Sequence, residues 1–446
     1  LVRVPCANGQ MEPPFFAQLD ASGNLPALIE FNRQRTRAEY ADVAPRPVRR
    51  VGIVGAGTMG AEIGAAMARH GISLLLTDTQ PESLASVVPR IAALVRASAP
   101  TMDCGSIEQR IRTTADIAAL GQCDLVLESV VEDPAVKQRV FGALEPHLAD
   151  GVVLASNTST IPVARLGAKL ASPGRFCGVH FFHPVGERPL VEVIPGPQTQ
   201  RETMATAIGF VEQVQRIPLV VPDGPAFLVN RFLMPYLGEA MQLLMEGASI
   251  EAIDQAAEQF GMALGPLRLV DEIGLDTALD CAWSYAGAFP DAMPTSPLLV
   301  AMVKAKRLGR KSGAGFYAHR DAAGKPTSPR RDPAAEQIIA RWAGQPRTHT
   351  AESIAARLFL TMLLEATRML QTGFAPAPQS IDLGLILGLA FPRRRGGLLW
   401  WADALGADRI CGMLRELEWL GPRVQPTPLL VEMAQHNRRF YPDTFA

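Results

Sequence analysis

Val51-Gly52-Ile53-Val54 is a short apolar run that feeds straight into Gly55-Ala56-Gly57-Thr58-Met59-Gly60, after which the pattern turns helical to about His70. A second apolar run, Ile72 to Thr77, follows and ends on the acid Asp78. This order of buried strand, glycine-rich turn, helix, buried strand and acid constrains the fold more than any other stretch of the chain. Gly55 permits a tight turn, Gly57 lets a pyrophosphate approach bare backbone, and Gly60 lets the helix lie close on the strand. Thr58 and Met59 fall in the helix's first turn, whose orphan N–H groups and positive dipole end attract phosphate. Asp78 is suited to accept ribose hydroxyls, and its charge opposes a 2′-phosphate, which favours NAD over NADP. The bland alternative is a glycine-rich turn without a ligand. The strand before the turn and the helix after it argue against that alternative.

The alternation continues downstream. Pro81 to Ala97 reads as a helix, Asp124 to Glu128 as a buried strand, Pro134 to Leu148 as a helix with proline in its first turn, and Val152 to Ser156 as a further strand. Strands separated by helices imply a doubly wound, mostly parallel sheet with ligands gathered at the carboxyl ends of the strands. Glu132, Lys137 and the run Ser156-Asn157-Thr158-Ser159-Thr160 fall at those ends.

Arg175 to Ile194 carries one imidazole, His180, at the end of an apolar run and one carboxylate, Glu192, inside a second. The Pro- and Gly-containing stretch Pro184 to Pro189 between them predicts an antiparallel hairpin centred on Gly186, with His180 facing Glu192. Directly opposed residues bring their Cβ atoms to about 5 Å. From these residues alone two readings stand: a carboxylate that orients a general base, and a buried structural His–Glu pair. Ile217 to Val221 reads as the last strand of the sheet.

After Pro222 the pattern becomes helical, beginning with Ala226 to Glu246 and Ile250 to Phe260. Gly265 to Asp276 matches Gly397 to Asp408 in length and pattern, and Arg231 and Glu239 have the same separation as Arg357 and Glu365. Two copies of one helical unit follow, about 223–330 and 350–446, with the Pro-, Arg- and Lys-rich segment Ala322 to Pro346 as a linker. The expected fold is therefore α/β plus all-α, a Rossmann-type doubly wound sheet followed by two repeated helical domains. Its expected parts are 1–48 as a linker or docking arm, 49–222 as the NAD-binding domain, 223–330 as the first helical domain, and 331–446 as linker and second helical repeat. Within 1–48, Leu28 to Tyr40 reads as a helix.

Several classes are disfavoured. A net charge of -1 gives no reason to expect nucleic acid. Six cysteines without C-x-x-C spacing suggest neither a zinc site nor a disulfide framework, and no metal site is expected. No apolar run is long enough for a membrane span, since Ile381 to Phe391 is interrupted by Asp382, and no signal peptide is evident. A cytoplasmic enzyme is expected, with a peroxisomal or mitochondrial matrix as the other settings.

The chain resembles the 3-hydroxyacyl-CoA dehydrogenases, and most closely the dehydrogenase part of the multifunctional fatty-acid oxidation enzyme. VGIVGAGTMG, LVLESVVEDPAVK, SNTST, HFFHPV, LVEVI, FLVNR and LGRKSGAGFY carry the resemblance, together with the repeated C-terminal unit. The resemblance implies NAD-dependent oxidation of an L-3-hydroxyacyl-CoA to the 3-ketoacyl-CoA in β-oxidation. It implies His180 as general base, Glu192 as its orienting partner, and Ser159 and Asn230 as hydrogen-bonding partners of the substrate. It also sets Asp78, Glu132, Lys137 and Ser159 at the cofactor, with Lys311 reaching it from the helical domain. Each has a plainer reading: Ser159 as a helix cap, Asn230 as a locally bonded polar group, Glu132 and Lys137 as a solvated pair, and Lys311 as part of a wet basic run.

The chain also departs from the family pattern. His183 stands where the family usually has Asn, which puts a titratable ring near the nicotinamide and predicts altered cofactor affinity or added pH dependence. Ala97 to Arg112 lacks the lysine that single-function members offer to CoA. Only about 48 residues precede the dinucleotide fold, too few for a hydratase half, so no hydratase activity is expected. Two further readings are a dehydrogenase of free 3-hydroxy acids and a catalytically weak CoA- and NAD-binding scaffold that docks a thiolase or hydratase subunit. Retention of His180, Glu192, Ser159 and Asn230 together argues against a scaffold.

Overall fold

The structure is a computed structural model and describes residues 24–100, 104–290, 292–293, 296–321 and 324–441. The chain divides into two compact units, Leu1–Gly224 and Pro225–Ala446.

The first unit opens, within the described residues, with α1 (Leu25–Glu39), followed by β1 (Arg50–Val54), α2 (Thr58–Ala68), β2 (Ser73–Thr77), α3 (Pro81–Ser98), α4 (Cys104–Glu108) and β3 (Ile111–Thr113). It continues through β4 (Leu125–Glu128), α5 (Pro134–Leu144), β5 (Val153–Ser156), α6 (Val163–Gly167), β6 (Phe176–Phe181), β7 (Leu190–Pro195), α7 (Arg201–Gln213) and β8 (Ile217–Val220). The eight strands form one sheet in the order β3-β2-β1-β4-β5-β6-β7-β8. All neighbours pair in parallel except β6 and β7. The chain order reverses between β1 and β4, so the crevice beyond their carboxyl ends is the natural ligand site of this topology.

Strand alternation decides which side each residue faces. Val51, Ile53, Leu125, Leu127, Val179, Phe181, Val191 and Val193 share one core with Ile63 of α2, Ile91 of α3 and Phe210 of α7. The even-numbered residues of β6 and β7, among them His180 and Glu192, therefore point to the opposite face. There Phe176 of β6 meets Phe141 of α5 edge-on at 4.9 Å.

The α1 helix begins three residues before the expected Leu28 and has a definite function within the expected docking arm. Asn32 donates to the Pro218 carbonyl at 2.9 Å and Arg35 to the Val220 carbonyl at 3.2 Å, so α1 covers β8, the last strand of the sheet. Pro218 is tolerated there because an edge strand has no outer ladder to break. Residues 1–23 of that expected arm lie outside the described residues.

The second unit contains α8 (Val229–Met245), α9 (Ile250–Phe260), α10 (Pro266–Ile273), α11 (Leu275–Ala288) and α12 (Pro297–Lys304), then β9 (Tyr317–Arg320), β10 (Pro326–Arg331) and α13 (Pro333–Trp342). It ends with α14 (Ala351–Gln371), α15 (Pro378–Gly388), α16 (Leu398–Leu405), α17 (Ala407–Arg415) and α18 (Pro428–Gln435). The segment expected as a linker is structured instead. Pro326–Arg331 pairs antiparallel with β9, and α13 follows, capped by Asp332 at the Ala334 N–H. Its proline-rich composition suits the ends of these elements: Pro326 opens β10 and Pro333 opens α13.

The duplication is written in buried polar contacts. Asp254 of α9 accepts the N–H groups of Leu267 and Arg268 at the start of α10, and the Tyr317 hydroxyl at 2.7 Å. Asp382 of α15 does the same for Leu399, Trp400 and Tyr441, the last at 2.8 Å. Asp271 and Asp403 likewise accept paired backbone N–H groups, from Phe316 and Tyr317 and from Phe440 and Tyr441. Between α8 and α14 the ion pairs are reciprocal. Arg231 meets Glu365 at 2.6 Å and Arg357 meets Glu239 at 2.8 Å, the self-complementary pattern of a twofold contact, here inside one chain.

Arg231→Met leaves Glu365, 1 % exposed, without its main counter-charge. The substitution is expected to destabilise the helical unit by about 3–5 kcal/mol, and Arg231→Met/Glu365→Leu to recover most of that loss. Denaturant unfolding followed by tryptophan fluorescence isolates this unit, because all five tryptophans, Trp283, Trp342, Trp400, Trp401 and Trp419, lie in it. Equal destabilisation of the single and double variants would contradict the pairing.

Candidate active site at the strand ends

The glycine-rich turn is built as a cradle. Gly55 has φ +106°, and a Cβ there would lie 2.4 Å from the Ser129 carbonyl oxygen. A Cβ on Gly60 would lie 1.9 Å from the Gly55 carbonyl oxygen, so helix and turn touch backbone to backbone. Gly57 differs: nothing lies within 4 Å of the position a Cβ would take. Gly57 and Thr58 are exposed, Met59 is half-buried, and α2 starts there with no side-chain cap. Open backbone at a helix amino terminus fits a dinucleotide diphosphate.

The turn is held at Ala56. Its N–H donates to Asp78 Oδ2 at 2.7 Å, and its carbonyl accepts from Arg90 of α3 at 3.0 Å. The other Asp78 oxygen accepts the Gln80 N–H at 2.8 Å. Asp78 thus shapes the turn from the end of β2, and its carboxylate oxygens retain lone pairs for a ribose hydroxyl.

Two strands away, a buried charge cluster fixes the turn after β5. Glu128, at the end of β4 and fully buried, meets Lys137 Nζ at 2.7 Å and the Ser156 hydroxyl at 2.6 Å. Lys137 also lies 3.1 Å from Glu132. Glu132 Oε1 accepts the Thr158 hydroxyl at 2.6 Å, the Ser159 N–H at 2.7 Å and the Thr160 N–H at 3.1 Å. Burial pushes the Glu132 carboxyl upward, but the Lys137 charge and these hydrogen bonds outweigh it and hold it below the usual carboxylate range. Lys137 is 1 % exposed and enclosed between two acids, so it is neither a solvated surface charge nor open to a ligand in this geometry. Glu128, which the sequence reading did not single out, is the centre of this cluster. Its signal was a buried strand, Leu125-Val126-Leu127, ending in an acid, as the run before Asp78 does.

The hairpin forms in the expected register, with His180 directly paired to Glu192. His180 Nδ1 lies 2.7 Å from Glu192 Oε2, and the two residues are 5 % and 0 % exposed. The Phe182 ring packs 4.5 Å from the imidazole. Asn157 Oδ1 accepts the Phe181 N–H at 2.9 Å, which ties the Ser159-bearing turn to the end of the histidine strand. Ser159 contributes its hydroxyl to Glu132 at 3.2 Å.

Just past β6, His183 is half exposed and its Nδ1 lies 3.2 Å from Glu62 of α2. Glu62 also accepts the Val185 N–H at 2.8 Å. Sequence reading missed Glu62, because a single acid in a helix carries no signal until its partner's position is known.

Two expected site residues belong to the second unit. Asn230 is the second residue of α8, entered through Ala226 and Phe227, both non-glycine residues at positive φ (62° and 48°). Lys311 lies in the turn before β9 and meets Asp276 at 2.5 Å. Burial raises the Asp276 carboxyl, but the Lys311 hydrogen bond and the Thr277 N–H outweigh it and hold it low. Elsewhere in the first unit, a polar cavity of about 500 Å³ opens beside Arg46, Gly151, Arg175 and Thr203, at the amino ends of β5 and β6. It contains none of the residues above. Among the described residues no cluster of His, Cys, Asp and Glu is arranged to hold a metal, and no helix is long and apolar enough to cross a membrane.

Comparison with known proteins bears on this site. Residues 50–224 match a family model described as the NAD-binding domain of 3-hydroxyacyl-CoA dehydrogenase, and residues 227–319 match the C-terminal domain of the same enzyme. The structure is similar to 3-hydroxybutyryl-CoA dehydrogenase from Escherichia coli K12, at 26 % identity and TM-score 0.75, over 88 % of this chain and 99 % of that one. It is similar to (S)-3-hydroxybutyryl-CoA dehydrogenase from Ralstonia eutropha, at 34 % identity and TM-score 0.59, over 62 % of this chain and 100 % of that one. It is also similar to the dehydrogenase part of multifunctional enzyme 1 from C. elegans, at 25 % identity and TM-score 0.61, over 88 % of this chain and 91 % of that one.

Gly57 and Gly60 separate cofactor binding from folding. Gly57→Ala points its methyl group into open space, so thermal stability should hold while the Kd for NADH, read by fluorescence titration, rises at least roughly ten-fold, about 1.4 kcal/mol. Gly60→Ala meets backbone and should lower stability by about 1–3 kcal/mol. A Gly57→Ala variant that binds NADH as tightly as the parent would contradict the cradle.

Proposed function

The chain belongs to the 3-hydroxyacyl-CoA dehydrogenase family as a NAD-dependent enzyme, and from that premise we propose that it oxidises L-3-hydroxyacyl-CoA to 3-ketoacyl-CoA in fatty-acid β-oxidation, with His180 as general base and Glu192 as its orienting partner. The observation that carries the reading is the 2.7 Å contact between His180 Nδ1 and Glu192 Oε2, buried between paired strands.

Glu192 holds the ring through Nδ1, so Nε2 is the nitrogen that takes the C3 hydroxyl proton. As the proton arrives the imidazole becomes a cation. Beside a buried carboxylate, that charge is stabilised more than it would be in water. Bound NAD supplies the two-electron acceptor for the hydrogen that leaves C3. Gly55, Gly57, Thr58, Met59 and Gly60 hold its diphosphate and Asp78 its ribose. Ser159 would hydrogen-bond the substrate oxygen, and the family resemblance assigns Asn230 to the substrate and Lys311 to the cofactor. Glu132 and Lys137 act behind the cofactor, by fixing the turn that presents Ser159. Two similar structures are named for 3-hydroxybutyryl-CoA, so a short-chain thioester is the first substrate to assay. A thiolase, which consumes 3-ketoacyl-CoA, is the candidate partner subunit, with a hydratase as the other.

His180→Ala is expected to lower kcat for 3-hydroxybutyryl-CoA by about 10²–10⁴-fold, and to leave the Kd for NADH within about two-fold, because the base takes part in proton transfer and not in cofactor binding. Glu192→Gln should lower kcat with a smaller change in KM. Absence of NADH formation by the parent chain with any 3-hydroxyacyl-CoA would favour the scaffold reading.

A further inference from the structure

Glu62 is an unusual neighbour for a dinucleotide. It lies four residues after Thr58, so about 6 Å along the helix axis from the amino end that receives the diphosphate. It is largely buried, with 13 % of its side chain exposed. An uncompensated carboxylate there would oppose a bound dianionic diphosphate. The structure provides a counter-charge. His183 Nδ1 stands 3.2 Å from Glu62 Oε2, the same oxygen that accepts the Val185 N–H.

We propose that His183 is the counter-charge of Glu62 and that the pair sets cofactor affinity. With His183 protonated the pair is neutral. With His183 neutral, one negative charge remains beside the diphosphate site. This rests on NAD binding alone and holds whether or not His180 is the base.

Two further features support it. His183 has 51 % of its side chain exposed, so it exchanges protons freely with solvent. The hydrogen bond to Glu62 raises its pKa above the ordinary histidine value, burial and Arg188 oppose this, and Glu187 adds to it. Burial pushes Glu62 up, but His183 and the Val185 N–H outweigh it and keep it below the usual carboxylate range. Near neutral pH Glu62 is therefore ionised, and His183 is the member of the pair that titrates. The charge-assisted contact is complete below about pH 6.5 and is lost as pH rises through the raised His183 value. A single added charge several ångströms from the diphosphate changes affinity by roughly three- to ten-fold at low salt.

The test is fluorescence titration of the full chain with NADH from pH 6 to 9 at low ionic strength. The parent's Kd should rise roughly three- to ten-fold across this range, and the rise should shrink in high salt. Glu62→Gln should bind NADH more tightly than the parent at high pH, and its remaining pH dependence should move down to or below the ordinary histidine range. His183→Asn should be flat and remain at the weak, high-pH level of the parent. If Glu62→Gln does not fold, the His183→Asn profile decides, together with the NMR titration of the His183 ring in the parent. Glu62→Gln with both the parent's midpoint and the parent's weak binding at high pH, or His183→Asn binding NADH at pH 6 as tightly as the parent, would overturn the proposal.

Discussion

The antiparallel pairing of β6 with β7 is the constraint on which the site depends. Every other neighbouring pair in the sheet is parallel, and parallel strands need a crossover between them. Here a short turn returns the chain at once, so residues on one side of the turn meet residues on the other in a fixed register. A slip of one residue would send His180 to the wrong face of the sheet and put a hydrophobic side chain opposite Glu192. The hydrophobic pattern guards against that slip, since Val179, Phe181, Val191 and Val193 all belong to the core on the other face. Register and chemistry are therefore specified by the same residues.

Around that pair, polar side chains at the strand ends, from the fully buried Glu128 to the partly exposed Asp78, Asn157 and Glu132, position backbone. Asp78 fixes Ala56, Glu128 fixes Ser156 and Lys137, Glu132 fixes the 158–160 turn, and Asn157 fixes Phe181. Each bond is modest in water but strong where solvent is excluded, and removing one partner leaves a buried group unsatisfied. Such a network holds turns rigid enough to aim side chains at one place.

Much of this was legible in the sequence. The doubly wound sheet followed from apolar runs alternating with helical ones, and the facing of His180 and Glu192 followed from counting outward from Gly186. Other features were not legible. Glu128 and Glu62 are single acids whose meaning lies in partners on other elements. Lys137 has the sequence context of a surface helix lysine, and only the packing of α5 on the sheet encloses it between two carboxylates. The strand and helix between 326 and 342 were hidden by prolines and charges, which mark element ends as readily as linkers. In the helical unit the match between Gly265–Asp276 and Gly397–Asp408 was visible. The tyrosines that complete each copy, Tyr317 and Tyr441, lie too far along the chain for a local pattern to join them to Asp254 and Asp382.

In the proposed mechanism one imidazole, steered by one carboxylate, carries the proton. Chemical rescue tests it most directly: His180→Ala assayed with NAD and 3-hydroxybutyryl-CoA while imidazoles of graded basicity are added. Turnover is expected to return with added imidazole and to rise with its basicity, as general-base catalysis requires. Turnover close to the parent's without any added base, and indifferent to imidazole, would contradict it.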